Sequence, residues 1–366
     1  MSFISDQIFA FDYKGTGRAD HLVLYRPGTG LIYIVENHSG TFATVFASSD
    51  GIGGYDLASG EDRIIPLDYN LSGRRDHLLC YRPGAGVVFI LSHRNEHFHL
   101  VSHGEDGIGG YDLRSLDDQL IAFDLSESGQ GNCADLLAYR PGTGTVHALL
   151  NTGSAFQWIA TSNAGLAGFT LSSPLDRIFP LALGDSKRKN CLLAYRPGAG
   201  VLGLSYVERK KFHPYSSVGY GPNGHGAGIG GYDLLSPSDQ LLAYDYAGTG
   251  QEGHVLAYRP GAGVAWVLEP VSGYQFRPVF GSAADLAQGG PGIGGFDLLS
   301  PFDRIVPFDF ESKGASDHLV VYRPGTSMIW ILQNTGGNFS PVYQNDYLNT
   351  GFTIAKRTAL AAAGGR

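Results

Sequence analysis

The sequence predicts an all-β protein, a six-bladed β-propeller with four antiparallel strands per blade, and three observations lead there. Tyr-Arg-Pro-Gly occurs six times, starting at Tyr25, Tyr81, Tyr139, Tyr195, Tyr258 and Tyr322, at spacings of 56 to 64 residues. A period of that length marks one supersecondary unit built repeatedly. Gly is abundant at 53 residues, Tyr and Phe number 20 each, and only 16% of residues are charged, which suits a packed domain of short strands. Within each unit, apolar runs of strand length alternate with Gly, Ser and Pro turns.

An aspartate opens every unit: Asp6, Asp62, Asp118, Asp176, Asp239 and Asp303. Gln or Arg always follows it, then an apolar run. The motif Tyr comes 19 residues later in five units and 21 in the third, which has a small insertion around Gly129 to Cys133. In the second unit, 63–69 (RIIPLDY) reads as a first strand and 76–81 (DHLLCY) as a second. Pro83-Gly84-Ala85-Gly86 makes a tight turn, because Pro presets φ and Gly accepts its positive value. A third strand follows at 87–92 (VVFILS) and a fourth at 98–102. Solenoid repeats are shorter and need capping units, so a closed ring is the better solution.

The connection between units carries a second signature. GIGGYDL stands at 51–57, 107–113 and 228–234, GIGGFDL at 292–298, and worn copies at 165–171 (GLAGFTL) and 349–354 (NTGFTI). No copy precedes Asp6, so the segment around Phe352 is expected to dock beside Asp6 and complete the ring. The domain expected is a single propeller over 1–355, with blades starting near 6, 62, 118, 176, 239 and 303 and a loose tail at 356–366.

A net charge of −8 argues against a nucleic-acid partner. Three cysteines, Cys80, Cys133 and Cys191, offer neither a disulfide framework nor metal-ligand spacing. The N-terminus has no signal-peptide pattern and no apolar run is long enough to span a bilayer. The expectation is a cytoplasmic protein, or one exported without a classical signal, with no membrane insertion and no cofactor.

Strand order places the Arg-Pro-Gly turns and the Gly-rich loops on one face, so this face is where a repeated site is sought. The arginines Arg26, Arg82, Arg140, Arg196, Arg259 and Arg323 occur in every unit, as do the opening aspartates. A charge-assisted pair tying turn to strand is one reading; arginines lining a ligand groove is the other. The aromatic–Asp pair behaves differently. It is intact in four units, as Gly53-Gly54-Tyr55-Asp56, Gly109-Gly110-Tyr111-Asp112, Gly230-Gly231-Tyr232-Asp233 and Gly294-Gly295-Phe296-Asp297, and becomes Phe169-Thr170 and Phe352-Thr353 in the others. Open backbone, a carboxylate and an aromatic face together suit a sugar. The alternative is that the loops are tight corners and the Asp caps a local turn. On the opposite face, second strands open with Asp20-His21, Asp76-His77 and Asp317-His318, read as half-exposed residues paired with the adjacent turn.

The stretch FDYKGTGRADHLVLYRPGTG at 11–30 resembles the FG-GAP (VCBS) repeat of integrin-α-type propellers, and the whole chain resembles the fungal and bacterial propeller lectins of the Psathyrella velutina kind. The resemblance implies sugar sites in grooves between blades. It also implies a calcium loop, for which the nearest match here is Asp68 to Asp76, with too few carboxylates in most units. The expected function is a multivalent lectin whose partners are glycans. A protein-interaction scaffold or toxin-associated propeller is the alternative, followed by a glycosidase or polysaccharide lyase at the channel mouth.

Overall fold

The computed structural model describes residues 6–125, 132–184, 189–216, 228–271, 275–282, 292–326 and 328–345. Among these residues, 24 strands form six four-stranded antiparallel sheets, each in chain order. The first strands are β1 (Gln7–Phe11), β5 (Arg63–Leu67), β9 (Gln119–Phe123), β13 (Arg177–Leu181), β17 (Gln240–Tyr244) and β21 (Arg304–Phe308). They approach one another around a central channel, with β1 beside β21, and the sheets radiate outward. The protein is a six-bladed β-propeller.

Burial explains the strand pattern. In the second blade, β6 (His77–Arg82) is buried over five successive residues, because blades pack on both of its faces. The outermost strand, β8 (His97–Gly104), is mostly exposed. The third strand β7 (Val87–Arg94) and β8 are each longer than the sequence suggested, while β5 ends at Leu67, before Asp68 turns away into the loop. Each pairing of a third with a fourth strand carries a register shift, between Ile90 and Leu91 in this blade. Such a bulge adds twist at the outer rim.

An innermost strand has an unpaired edge, which must be satisfied when buried. The motif tyrosines do this. The Ile64 amide donates to the Tyr25 hydroxyl of the preceding blade at 3.3 Å, and the same bond runs from Leu120 to Tyr81, Leu241 to Tyr195 and Ile305 to Tyr258. Burial holds the Tyr258 hydroxyl up at about 12. The same stitch closes the ring, from the Ile8 amide to Tyr322 at 3.3 Å, supported by the Asn37 amide donating to the Phe310 carbonyl at 2.7 Å. The last blade therefore meets the first directly. The segment around Phe352 and the tail at 356–366 lie outside the described residues.

All three cysteines are free and buried. Burial pushes their thiols up, Cys133 to about 11, so none is a reactive thiolate. The histidines opening the second strands are not half-exposed as expected. His21, His77 and His318 are fully buried, each with Nδ1 within 2.7 Å of the carboxylate of the preceding Asp.

Tyr81→Phe should strand the Leu120 amide and cost about 1–3 kcal/mol of stability. Denaturant unfolding checks this, and an unchanged midpoint would show that the stitch is dispensable.

Candidate functional site

The residues expected to form grooves between blades are brought together, but for a structural purpose. Each motif arginine grips the opening aspartate of its own blade with two parallel bonds. In the second blade these are Arg82 Nε to Asp62 Oδ1 at 2.7 Å and Nη2 to Oδ2 at 2.9 Å. Arg26 pairs with Asp6, Arg140 with Asp118, Arg196 with Asp176, Arg259 with Asp239 and Arg323 with Asp303 in the same way. The aspartate also accepts the Tyr55 hydroxyl at 2.6 Å and the Ser59 amide at 2.8 Å. Tyr111 and Tyr232 repeat this bond seven residues ahead of their own aspartates. Burial, then the Asp62 carboxylate, drives the Tyr55 hydroxyl far above its ordinary range.

The aromatic rings are buried: Tyr55, Tyr111, Tyr232 and Phe296 are between 1% and 4% exposed. Each lies beneath an arginine, with the guanidinium 5.3 to 5.9 Å from the ring centre. No ring face is left for a sugar to stack on.

The glycines serve the backbone. Gly53-Gly54 has φ of 56° and 90° and closes a two-residue hairpin in which Ile52 and Tyr55 exchange both amide–carbonyl bonds. Positive φ at both central residues is the hairpin-favoured turn. A Cβ on Gly53 would stand 2.8 Å from Leu91 of the next blade, and one on Gly294 would stand 2.9 Å from Leu332. Gly109 packs likewise on Phe156, Gly230 on Phe276, and Gly110, Gly231 and Gly295 face Trp158, Trp266 and Trp330.

Asp56, Asp112, Asp233 and Asp297 are about half exposed and form a second, outer bond to the arginine. Each also accepts the amide two residues on, an Asx turn. For Asp56, that amide bond from Ala58, aided by Arg82, holds the carboxyl below its usual range. In the fourth blade Thr170 replaces this Asp and Arg196 turns to the Ser172 hydroxyl at 3.1 Å. The loss of the pair in two units thus follows from energetics, since an exposed ion pair contributes little and can be dropped.

The calcium reading does not fit either. Both Asp68 oxygens accept backbone amides, from Ser72, Gly73 and Asn132 at 2.7 to 3.1 Å. Donors crowd the carboxylate where a cation would need further oxygens. Among the described residues no group of three potential metal ligands converges.

The asymmetric feature sits at the opposite end of the channel, on the face carrying the loops between first and second strands. One register position, two residues before the residue that pairs with the end of the first strand, holds Ala19, Arg75, Cys133, Lys189, Glu252 and Ser316 in successive blades. Its backbone repeats: the carbonyls of Ala19, Cys133, Lys189 and Glu252 each accept an amide from the preceding blade. The bond that holds the ring uses only main chain, which leaves the side chain free to differ.

Five of these six side chains line a cavity of about 270 Å³ on the axis, with Asn132 from the third blade. Glu252 stands between two cations, ion-paired to Lys189 and 3.5 Å from Arg75. Burial alone would raise the Glu252 carboxyl; Lys189 and Arg75 outweigh it and hold the group below its usual range. Burial likewise opposes the charge on Arg75, and Glu252 restores it. Sequence reasoning missed this triad. The detectable signal was a loop position at which six otherwise similar units all disagree and three of them carry charge.

No family model and no curated protein matches the sequence. Solved structures share the fold. A protein of Bacteroides uniformis provisionally named a 6-phosphogluconolactonase is 7% identical with a TM-score of 0.47, over 92% of this chain and 83% of that one. The β-propeller domain of Myceliophteria thermophila Cps50 (Swd1) is 11% identical with a TM-score of 0.47, over 94% and 88%. The periplasmic gluconolactonase PpgL of Pseudomonas aeruginosa is 15% identical with a TM-score of 0.36, over 70% and 65%. These likenesses concern architecture.

The lectin expectation is corrected. The rings, glycines and arginines of the expected sugar sites are spent within the protein.

Two predictions follow from this division of labour. Asp62→Ala should cost about 3–5 kcal/mol by leaving Arg82 and Tyr55 without their buried partner, while Asp56→Ala should cost at most about 1 kcal/mol; equal losses in denaturant unfolding would refute the ranking. Because the folded Glu252 is held below the ordinary glutamate value of 4.5, its contribution is complete above that pH and is lost as pH falls through the lower, folded value. Glu252→Gln should therefore flatten the acid limb of the unfolding-midpoint profile below pH 4.5.

Proposed function

We propose that the channel mouth on the loop face is a binding site for a small polar molecule bearing a carbonyl or carboxylate oxygen. The observation that carries this reading is the Glu252 carboxylate held between Lys189 and Arg75, three of the five residues from one register position that line a single cavity. The main chain already supplies the bonds that join the blades here, so the charged triad is not needed to close the ring. Guanidinium and ammonium groups have five and three donors, more than Glu252 consumes, so Arg75 and Lys189 retain N–H groups for a ligand oxygen. Glu252 is kept ionised and accepts a ligand hydroxyl or an ordered water.

Two donors aimed at one oxygen would also polarise an ester carbonyl. Hydrolysis of a sugar-acid lactone is therefore the first activity to assay, and the printed names of the gluconolactonase neighbours supply the panel. Glu252, its carboxyl held below the usual range by Lys189 and Arg75, is a weak general base; it suits positioning of water more than abstraction of a proton.

The test is calorimetric titration with aldonolactones, their open-chain acids and short dicarboxylates. Lys189→Met should weaken the best ligand about tenfold or more, the worth of one charge-assisted hydrogen bond. A panel that fails to bind, or a ligand indifferent to both Lys189→Met and Arg75→Met, would remove the site.

A further inference from the structure

The channel-lining strands carry a period longer than one blade. Their first residues are Gln7, Arg63, Gln119, Arg177, Gln240 and Arg304, and their fourth are Ala10, Pro66, Ala122, Pro180, Ala243 and Pro307. Two positions alternate in step, so the ring is built from three pairs of blades. Three arginines consequently stand at one level around the axis, on the face of the Arg-Pro-Gly turns. Their heads lie along the rim. Arg63 donates to the Asp118 carbonyl of the next blade at 3.0 Å, Arg177 to that of Asp239 at 3.4 Å, and Arg304 to that of Asp303 at 3.0 Å.

These arginines differ from the motif arginines, each of which is paired with a buried aspartate. Among the described residues, Arg63, Arg177 and Arg304 form no ion pair; they bond main-chain carbonyls, Arg63 also lies over the Tyr81 ring, and Arg177 also bonds the Tyr195 hydroxyl. All three are half-buried. Of the three, Arg177 lines a cavity of about 330 Å³ with Gln119 and Gln240 from the flanking blades, the hydroxyl-bearing Tyr139 and Tyr195, and Asp176, whose carboxylate is paired with Arg196. The three cations stand around the channel mouth on this face, and each guanidinium keeps donors beyond its carbonyl bond.

We propose that this mouth is a second site, one that binds a tetrahedral oxyanion of the phosphate class. A phosphoryl group presents three oxygens about a three-fold axis, matching three guanidinia spaced every second blade. The intervening glutamines add neutral donors. Arginine is the side chain suited to this recognition. The site is distinct from the cavity at the loop face and does not depend on its reading.

The test uses Arg63→Gln/Arg177→Gln/Arg304→Gln. Gln already occupies the same position in three blades, so the fold accommodates it. Titration with inorganic phosphate at constant ionic strength, with thermal unfolding in parallel, is the readout. Wild type should bind phosphate and be stabilised by it; the triple variant should bind it at least about tenfold more weakly and retain any ligand of the opposite mouth. In phosphate-free buffer the variant should unfold no earlier than wild type. A wild type without phosphate response, or a variant that responds equally, would overturn the proposal. So would a variant that cannot fold, since the arginines would then be structural.

Discussion

The buried opening aspartate is the constraint on which the rest depends. In a single carboxylate it collects a bidentate arginine from the second strand, an aromatic hydroxyl from the preceding inter-blade loop and an amide from the turn before the first strand. Those three elements belong to the innermost part of the blade and to the connection from its neighbour. A charge buried to this degree is tolerable only when fully bonded. The requirement therefore fixes loop, turn and strand together; the arginine recurs at each blade, the amide in the second to sixth, and the hydroxyl where the described loop carries Tyr. The left-handed Leu57, at φ 51°, is part of the same assembly, fully buried with its carbonyl accepting both Gly28 and Gly30.

Around that anchor the blades are joined by bonds that use the main chain on at least one side. Tyrosine hydroxyls take the inner-edge amides, and loop carbonyls take amides from the preceding blade. This arrangement separates skeleton from site. Where the ring needs only a carbonyl, as at the loop-face mouth, evolution of the side chain costs the fold nothing. One position there accordingly ranges from alanine to arginine, lysine and glutamate. On the turn face the repeated residues are all engaged in holding the blades, so repetition there signals architecture.

The electrostatics follow the same division. The chain carries a net −8, yet its aspartates at the blade interfaces are matched by arginines or by backbone amides. Further charges stand around the axis: a carboxylate between two cations at one mouth, and three arginines at the other. Low exposure in a channel strengthens each of these interactions relative to the outer surface.

The repeat, the six blades, the strand count and the pairing of each arginine with its opening aspartate are all legible in the sequence, because each is a local pattern copied six times. The sharing of one face by the Arg-Pro-Gly turns and Gly-rich loops is also legible, since it follows from strand order. What the copies do is another matter. Tyr55 and Asp56 have the chemistry of a sugar site, and only packing reveals that the ring lies under Arg82 and that Gly53 abuts Leu91. The triad of Arg75, Lys189 and Glu252 is drawn from three different blades, so no local pattern announces it. Sequence alone determined the unit and its number; tertiary structure decided which face holds unspent side chains, because ring closure brings one position from every blade to a single axis.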